Sequence, residues 1–212
     1  MARFLIADDH PLFREALVGA LEPLFEDAQI VQADSLDSSL ICLEQYSDID
    51  LILLDLHMPG CENFYGLIRI TQDYPNVPVV VISATDSIEV ISYVMNFGAK
   101  GFIPKSTSTQ LIAEALLTVI DGKTWLPDKL REKIASIDNE GLSLAQKLAE
   151  LTPKQFQVLK LVQKGLLNKQ IAHKLNVTEA TVKAHISAMF RKLDVNTRTQ
   201  AVLILNQLQL ED

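Results

Sequence analysis

Three aspartates, a serine and a lysine carry the chemistry this sequence most plainly offers. Asp8 and Asp9 follow the apolar run at residues 4–7, Asp55 follows 51–54, Ser83 follows 79–82 and Lys105 closely follows 101–103. If those runs end on one edge, three carboxylates crowd together and repel one another. A divalent cation relieves that repulsion, and an all-oxygen ligand set selects Mg2+ or a similarly hard ion. A lysine and a small hydroxyl beside the acids suit a phosphoryl group, through charge neutralisation and hydrogen bonding. Taken singly, each residue has a plainer use. Asp8 and Asp9 are good helix N-caps, Asp55 reads as a solvated loop acid, Ser83 as a cap and Lys105 as a surface charge. Only the set points to chemistry.

The elements needed to assemble that set are legible. Runs at 4–7, 29–33, 51–54, 79–82 and 101–103 are rich in Ile, Leu and Val without polar alternation, the pattern of strands buried on both faces. Helical patterns fall between and after them at 11–21, 36–46, 63–74, 88–97 and 109–120. Five such β-α units predict a parallel sheet covered by helices on both faces. Right-handed crossovers then bring the strand C-termini, and the polar residues behind them, to one edge.

Charge divides the chain near residue 121. The whole carries a net charge of −8, but residues 1–121 hold 5 basic and 18 acidic side chains and residues 122–212 hold 14 and 9. Two modules with different partners are expected, the basic one suiting nucleic acid. The two cysteines, Cys42 and Cys61, are too few for a disulfide scaffold and lack a metal-binding C-x-x-C spacing, and free thiols fit a reducing cytoplasm. Aspartates interrupt the N-terminal run before a signal-peptide core forms. The longest apolar stretches, 51–54 and 77–82, fall far short of the roughly 20 residues a membrane helix needs.

Residues 122–147 read as a connector. Leu130, Ile134 and Ile137 recur at helical spacing before Gly141 breaks the pattern, and Trp125 is either an anchor for the segment or surface-adjacent core. Beyond it, Thr152, Pro153 and Gln155 make a capped helix start and Gly165 a helix stop. A second helix starts at Asn168, Asn176-Val177 makes a turn, and Thr178 caps a third helix running to about Leu193 with Val182, Ile186, Met189, Phe190 and Leu193 inward. A fourth, apolar helix is predicted over 197–210. Two short helices joined by a tight turn form a helix-turn-helix pattern, whose second helix enters the major groove.

The motifs Ile-Ala-Asp8-Asp9-His, Leu-Leu-Asp55-Leu-His-Met-Pro-Gly, Ile-Ser83-Ala and Gly-Phe102-Ile-Pro-Lys105 resemble the receiver domain of two-component response regulators. Leu151-Thr-Pro, Gly165-Leu-Leu-Asn-Lys-Gln-Ile-Ala and Val177-Thr-Glu-Ala-Thr-Val-Lys-Ala-His resemble the LuxR-type domain of the NarL/FixJ subfamily. The resemblance implies an α/β receiver with a flavodoxin-like, doubly wound five-stranded parallel sheet over 1–121, a linker with a short helix over 122–147, and an all-α four-helix helix-turn-helix domain over 148–212. It implies that Asp55 is the phosphoacceptor, charged by a sensor histidine kinase. Asp9, Asp55 and the backbone carbonyl of His57 would ligate Mg2+, with Asp8 acting through water. Ser83, Phe102 and Lys105 would bind the phosphoryl group or respond to it. Lys169, Thr181, Lys183, Ala184, Ser187, Arg191 and Lys192 would meet double-stranded DNA, with Arg198 as a further backbone contact. Leu203, Leu205 and Leu208 of the last helix would form a dimer face. RNA polymerase is a further implied partner, and a bacterial cytoplasm the implied setting.

The sequence departs from the receiver pattern twice. Ser106 follows the lysine where proline is usual, and Cys61-Glu62-Asn63-Phe64 replaces the usual Asp-Gly. Neither change removes a reacting group. A phosphohydrolase reading is poor, because such enzymes place a second acid two residues after the nucleophilic aspartate and here Leu56-His57 follow. The remaining alternative is a DNA-binding regulator whose receiver-like domain only binds partners.

Overall fold

The computed structural model describes residues 2–25, 27–128, 130–131 and 147–206. The chain folds as two compact units, Met1–Ile137 and Asp138–Asp212. The expected connector helix, apart from Leu130, and Leu208 of the expected dimer face lie outside the described residues.

In the first unit strands and helices alternate: β1 Arg3–Ala7, α1 Pro11–Leu21, β2 Gln29–Ala33, α2 Leu36–Gln45, β3 Leu51–Asp55, α3 Tyr65–Asp73, β4 Val79–Ser83, α4 Ile88–Asn96, β5 Gly101–Pro104 and α5 Thr109–Ile120. The sheet is fully parallel in the order β2-β1-β3-β4-β5. The chain therefore reverses direction of travel between β1 and β3, and a crevice opens beyond their C-terminal ends. Every residue of β3 and β4 is buried, as the unbroken apolar runs require. One face packs Phe4, Ile6, Leu53, Val80 and Ile103 against Leu17 and Leu21 of α1 and Leu116 and Val119 of α5.

Trp125 joins this core. It forms a parallel bridge to Gly101, donating its N–H to Lys100 O at 2.9 Å and accepting from Phe102 N–H at 3.2 Å. It lies 8% exposed in the same cluster as Ile103 and Val119. The chain after α5 thus pairs with the outer edge of β5.

Between β3 and α3 a 3-10 turn spans Glu62–Phe64. Phe64 there adopts φ of 62°. A left-handed residue with a side chain costs about 1–2 kcal/mol. Its fully buried ring offsets that, packing 5.8 Å from Tyr93 and 5.5 Å from Phe97 around α4.

The second unit is helical: α6 Pro153–Gln163, α7 Asn168–Leu175, α8 Glu179–Leu193 and α9 Arg198–Asn206. Thr152 and Gln155 complete the expected capping box on α6, Gly165 takes φ of 78° after it, and Thr178 caps α8. Asn176 makes the turn in the left-handed conformation. Val158, Leu161, Ile171, Ala172 and Val182 form the core. Among the described residues no helix is long and apolar enough to cross a membrane.

Helix α7 has half a cap. Gln170 Oε1 accepts from Leu167 N–H at 2.7 Å, but Leu167 has no side-chain oxygen to return, and it is 68% exposed. Leu167→Ser supplies that oxygen at the extended N-cap backbone and gives up little packing. The expected gain is about 1 kcal/mol, read as a higher melting temperature of the C-terminal unit in calorimetry of the full chain; an unchanged or lower value refutes it.

Candidate functional site

The sheet register builds the acidic cluster. Ala7 pairs with Leu54 and Asp55 with Ile82, so Asp8 and Asp55 emerge side by side where β1 and β3 end. Ser83 pairs with Pro104, the residue before Lys105. Asp8, Asp55 and Ser83 have no exposed surface. Lys105 reaches over the edge, its Nζ 2.7 Å from Asp8 Oδ2 and 3.1 Å from Asp55 Oδ2. One ammonium thus neutralises part of two buried carboxylates that would otherwise repel at short range. Its Nζ also stands 4.8 Å from the ring centroid of Phe13, in the first turn of α1.

Asp55 Oδ1 accepts from His57 N–H at 3.3 Å, and the His57 ring nitrogen stands 3.8 Å away. Ser83 Oγ accepts from Thr85 N–H at 3.2 Å, and Lys105 N–H donates to Ser83 O at 2.8 Å. The phosphoryl-side residues Ser83 and Lys105 are therefore linked through backbone as well as by position. Phe102 is fully buried, on the strand that ends just before Lys105 and pairs with Trp125.

The residues fit a hard divalent cation. Asp8, Asp9, His10 and Asp55 offer ligand atoms within 4.8 Å of one another. Asp8 Oδ2 and Asp9 Oδ1 are shielded from solvent and accept no hydrogen bond of acceptable geometry, although Lys105 and His10 stand at ion-pair distance from them. Buried carboxylate charge is costly unless paired or ligating.

Several neighbours of this site were not singled out in the sequence. His10 Nδ1 lies beside both Asp8 and Asp9, Arg14 donates to Asp8 O, and Phe13 flanks Lys105. All three sit at or within the first turn of α1, and that position, one turn after an aspartate pair, was the available signal. Phe64 is a further one, tying the loop after Asp55 to α4.

In the second unit, Thr181, Lys183, Ala184, Ser187 and Arg191 are exposed on α8, and Lys169 is exposed at the start of α7. The α8 residues lie away from buried Val182, Met189 and Leu193 of the same helix. The Thr181 hydroxyl lies 2.9 Å from that of its cap, Thr178. Three expectations change. Lys192 is turned inward, donating to Glu150 O at 2.7 Å and Gln155 Oε1 at 2.9 Å. Arg198 donates to Leu166 O and to Asn168 Oδ1, tying α9 to the start of α7. Both cations satisfy carbonyls at helix boundaries, which apolar spacing does not reveal. Leu205 is fully buried in its own unit, whereas Leu203 is 58% exposed; Leu205 belongs to the core.

Residues 4–117 match the response regulator receiver domain and residues 149–205 match the luxR family of bacterial regulatory proteins. Over nearly the whole chain it is similar to the glycerol metabolism activator of Pseudomonas putida, 41% identical over 208 residues that cover 96% of this chain and 94% of the relative. It is similar to the nitrate/nitrite response regulator protein NarL of Escherichia coli strain K12, 31% identical over 97% of this chain and 95% of that one. A solved LuxR family DNA-binding response regulator from Silicibacter pomeroyi is 32% identical with a TM-score of 0.55, covering 61% of this chain and 99% of its own. The two-component response regulator RcsB, solved with DNA, shares the fold at a TM-score of 0.60 and 23% identity, over 97% of this chain and 98% of that one.

Proposed function

The chain belongs to the NarL/FixJ-type response regulators, which join a receiver to a LuxR-type DNA-binding domain, and from that premise we propose that Asp55 is the residue through which phosphorylation controls its binding to DNA. The observation that carries this reading is the Lys105 bridge between Asp8 and Asp55 at the edge of the sheet. A phosphorylated Asp55 gains about −1.5 to −2 charges, and the one ammonium already at Asp55 Oδ2 is placed to follow that charge.

In the transfer step an Asp55 carboxylate oxygen attacks the phosphorus of a phosphohistidine on a sensor kinase. The P–N bond breaks, its electron pair returns to the imidazole, and an acyl phosphate P–O bond forms. The receiver promotes its own modification by orienting the nucleophile: His57 N–H holds Asp55 Oδ1 and Lys105 holds Oδ2. Asp9, Asp55 and the His57 carbonyl would hold Mg2+, with Asp8 acting at longer range. The ion supplies positive charge to the phosphoryl oxygens and offsets the carboxylate repulsion. Afterwards Ser83 and Lys105 draw towards the new charge, and Phe102 and β5 follow. The exposed strip of α8 with Lys169 reads DNA, and the protein acts as a homodimer in a bacterial cytoplasm, as its relatives' setting suggests.

The direct test is incubation of the full chain with a small-molecule phosphodonor and Mg2+, followed by intact mass. Wild type should gain one phosphoryl group and Asp55→Ala none. An unmodified wild type leaves the phosphorylation-independent reading instead. A second readout is built in. Trp125 is the single tryptophan, hydrogen-bonded to the strand that carries Phe102. Its emission should shift on phosphorylation of wild type and stay constant in Asp55→Ala. A constant emission in a chain shown by mass to be phosphorylated would exclude movement at this edge of β5.

A further inference from the structure

The ammonium that bridges Asp8 and Asp55 has a third neighbour, and this one carries no charge. Lys105 Nζ stands 4.8 Å from the centroid of the Phe13 ring, inside the roughly 6 Å over which an aromatic face attracts a cation. Its other two partners are Asp8 Oδ2 at 2.7 Å and Asp55 Oδ2 at 3.1 Å. Only 18% of the lysine side chain is exposed, so the ring takes a side of the ammonium that water would otherwise occupy. A π face attracts the charge without accepting a directed hydrogen bond as a carboxylate does. It holds the ammonium in place while the N–H donors remain available to oxygens.

The ring is itself held. Phe13 lies in the first turn of α1, with Pro11 at the first helical position and its own N–H donating to His10 O at 3.1 Å. Its side chain packs against the core of the sheet. The next residue, Arg14, donates to Asp8 O at 2.5 Å. One turn of helix thus grips the sheet edge twice, by a ring on Lys105 and by a hydrogen bond on the backbone of Asp8. Packing alone asks only for an apolar side chain at this position. A ring at this distance from an ammonium adds an electrostatic attraction that leucine lacks.

We propose that Phe13 is a positioning residue for phosphoryl transfer to Asp55, its ring holding the Lys105 ammonium where it meets the phosphoryl oxygens. This inference rests on Asp55 being the phosphoacceptor. Phe13 acts through Lys105. During transfer, negative charge is spread over the phosphoryl oxygens as the Asp55 carboxylate approaches phosphorus. A lysine already localised beside Asp55 stabilises that charge without first having to be ordered. A ring with less π density holds it more loosely, and transfer slows.

The test is the rate at which acetyl phosphate with Mg2+ phosphorylates Asp55 in the full chain, followed by intact mass. The Asp55 oxygen displaces acetate, which leaves with the electron pair of the broken P–O bond. Phe13 is replaced by mono-, di- and pentafluorinated phenylalanine, which keep the shape of the ring while draining its π face. The rate should fall with each step, by about fivefold at the pentafluorinated ring, and by a similar factor in Phe13→Leu. A rate flat across the fluorinated rings, or one unchanged in Phe13→Leu, overturns the proposal and leaves Phe13 as packing. The urea midpoint without divalent cations is the control. Fluorination should lower it in the chain with Lys105 and leave it unchanged in Lys105→Met. A dependence that persists equally without the ammonium belongs to packing and overturns the proposal too. If Asp55 of the wild type takes no phosphoryl group, the phosphoacceptor reading fails, which is distinct from a chain that is phosphorylated and indifferent to fluorine.

Discussion

Lys105→Met should destabilise the receiver unit by about 3 kcal/mol in the absence of divalent cations. The lysine side chain is 18% exposed, and its two partners, Asp8 and Asp55, are fully buried. Removing one partner of a buried pair leaves the other charge without solvent or counter-ion, a cost of roughly 3–5 kcal/mol; the residual exposure of Lys105 places the expectation at the lower end. Methionine preserves the aliphatic stem and removes the ammonium, with its place over the Phe13 ring, so the loss reports on the ammonium. Two rescues follow from the same electrostatics. Saturating Mg2+ should recover most of the loss, since a divalent ion compensates the same carboxylates. Asp55→Asn in the Lys105→Met background should also recover stability, by removing the like-charge repulsion. Urea denaturation followed by Trp125 emission, with and without Mg2+, measures all of this. An unchanged midpoint in Lys105→Met would mean that the bridge is energetically neutral. Phosphorylated Lys105→Met should in addition show no Trp125 response, because the cation expected to draw β5 towards the phosphoryl group is gone.

The second large effect separates two lysines that look alike in sequence. Lys183 is exposed on the outward strip of α8. Lys183→Ala should weaken operator binding about tenfold, the size of one lost charged contact of roughly 1.4 kcal/mol. If that contact is to phosphate, the slope of log affinity against log salt falls by about one. Lys192 holds Glu150 O and Gln155 Oε1. Lys192→Ala should leave the salt slope within error and instead lower the melting temperature of the C-terminal unit, because the hydrogen bonds that tie α8 to Glu150 O and Gln155 Oε1 are lost. The two variants measured side by side at matched salt settle the assignment; a reduced slope with unchanged stability in Lys192→Ala would return that residue to the DNA-facing set.

Both results bear on how this molecule could be read from its residues. Apolar runs without polar alternation announced a parallel sheet, because strands covered on both faces have no solvent side to mark. That pattern alone forced Asp8, Asp55, Ser83 and Lys105 onto one edge. Thr152, Pro153, Gln155, Gly165 and Thr178 announced helix ends, because capping is a local exchange between a side chain and backbone groups within one turn. The charge division near residue 121 likewise needed only counting.

What eluded that reading was pairing across the fold. Which oxygen of Asp8 and Asp55 meets Lys105 depends on strand register, and the sequence contains no signal for the choice. His10, Phe13 and Phe64 join the site because α1 and the loop after β3 close over the sheet edge. Trp125 pairs with Gly101 for the same reason: no periodicity encodes the capture of a connector by the edge of a strand. Lys192, Arg198 and Leu205 have the composition of surface or interface residues and are claimed by their own domain. The sequence by itself determined the elements, their order and the chemistry brought to one edge, since these follow from local propensity and from the period of apolar burial. The tertiary structure alone decided which charges are paired inside the protein and which remain to meet a cation, a phosphoryl group or DNA, since that depends on distances between residues as far apart in the chain as Asp8 and Lys105.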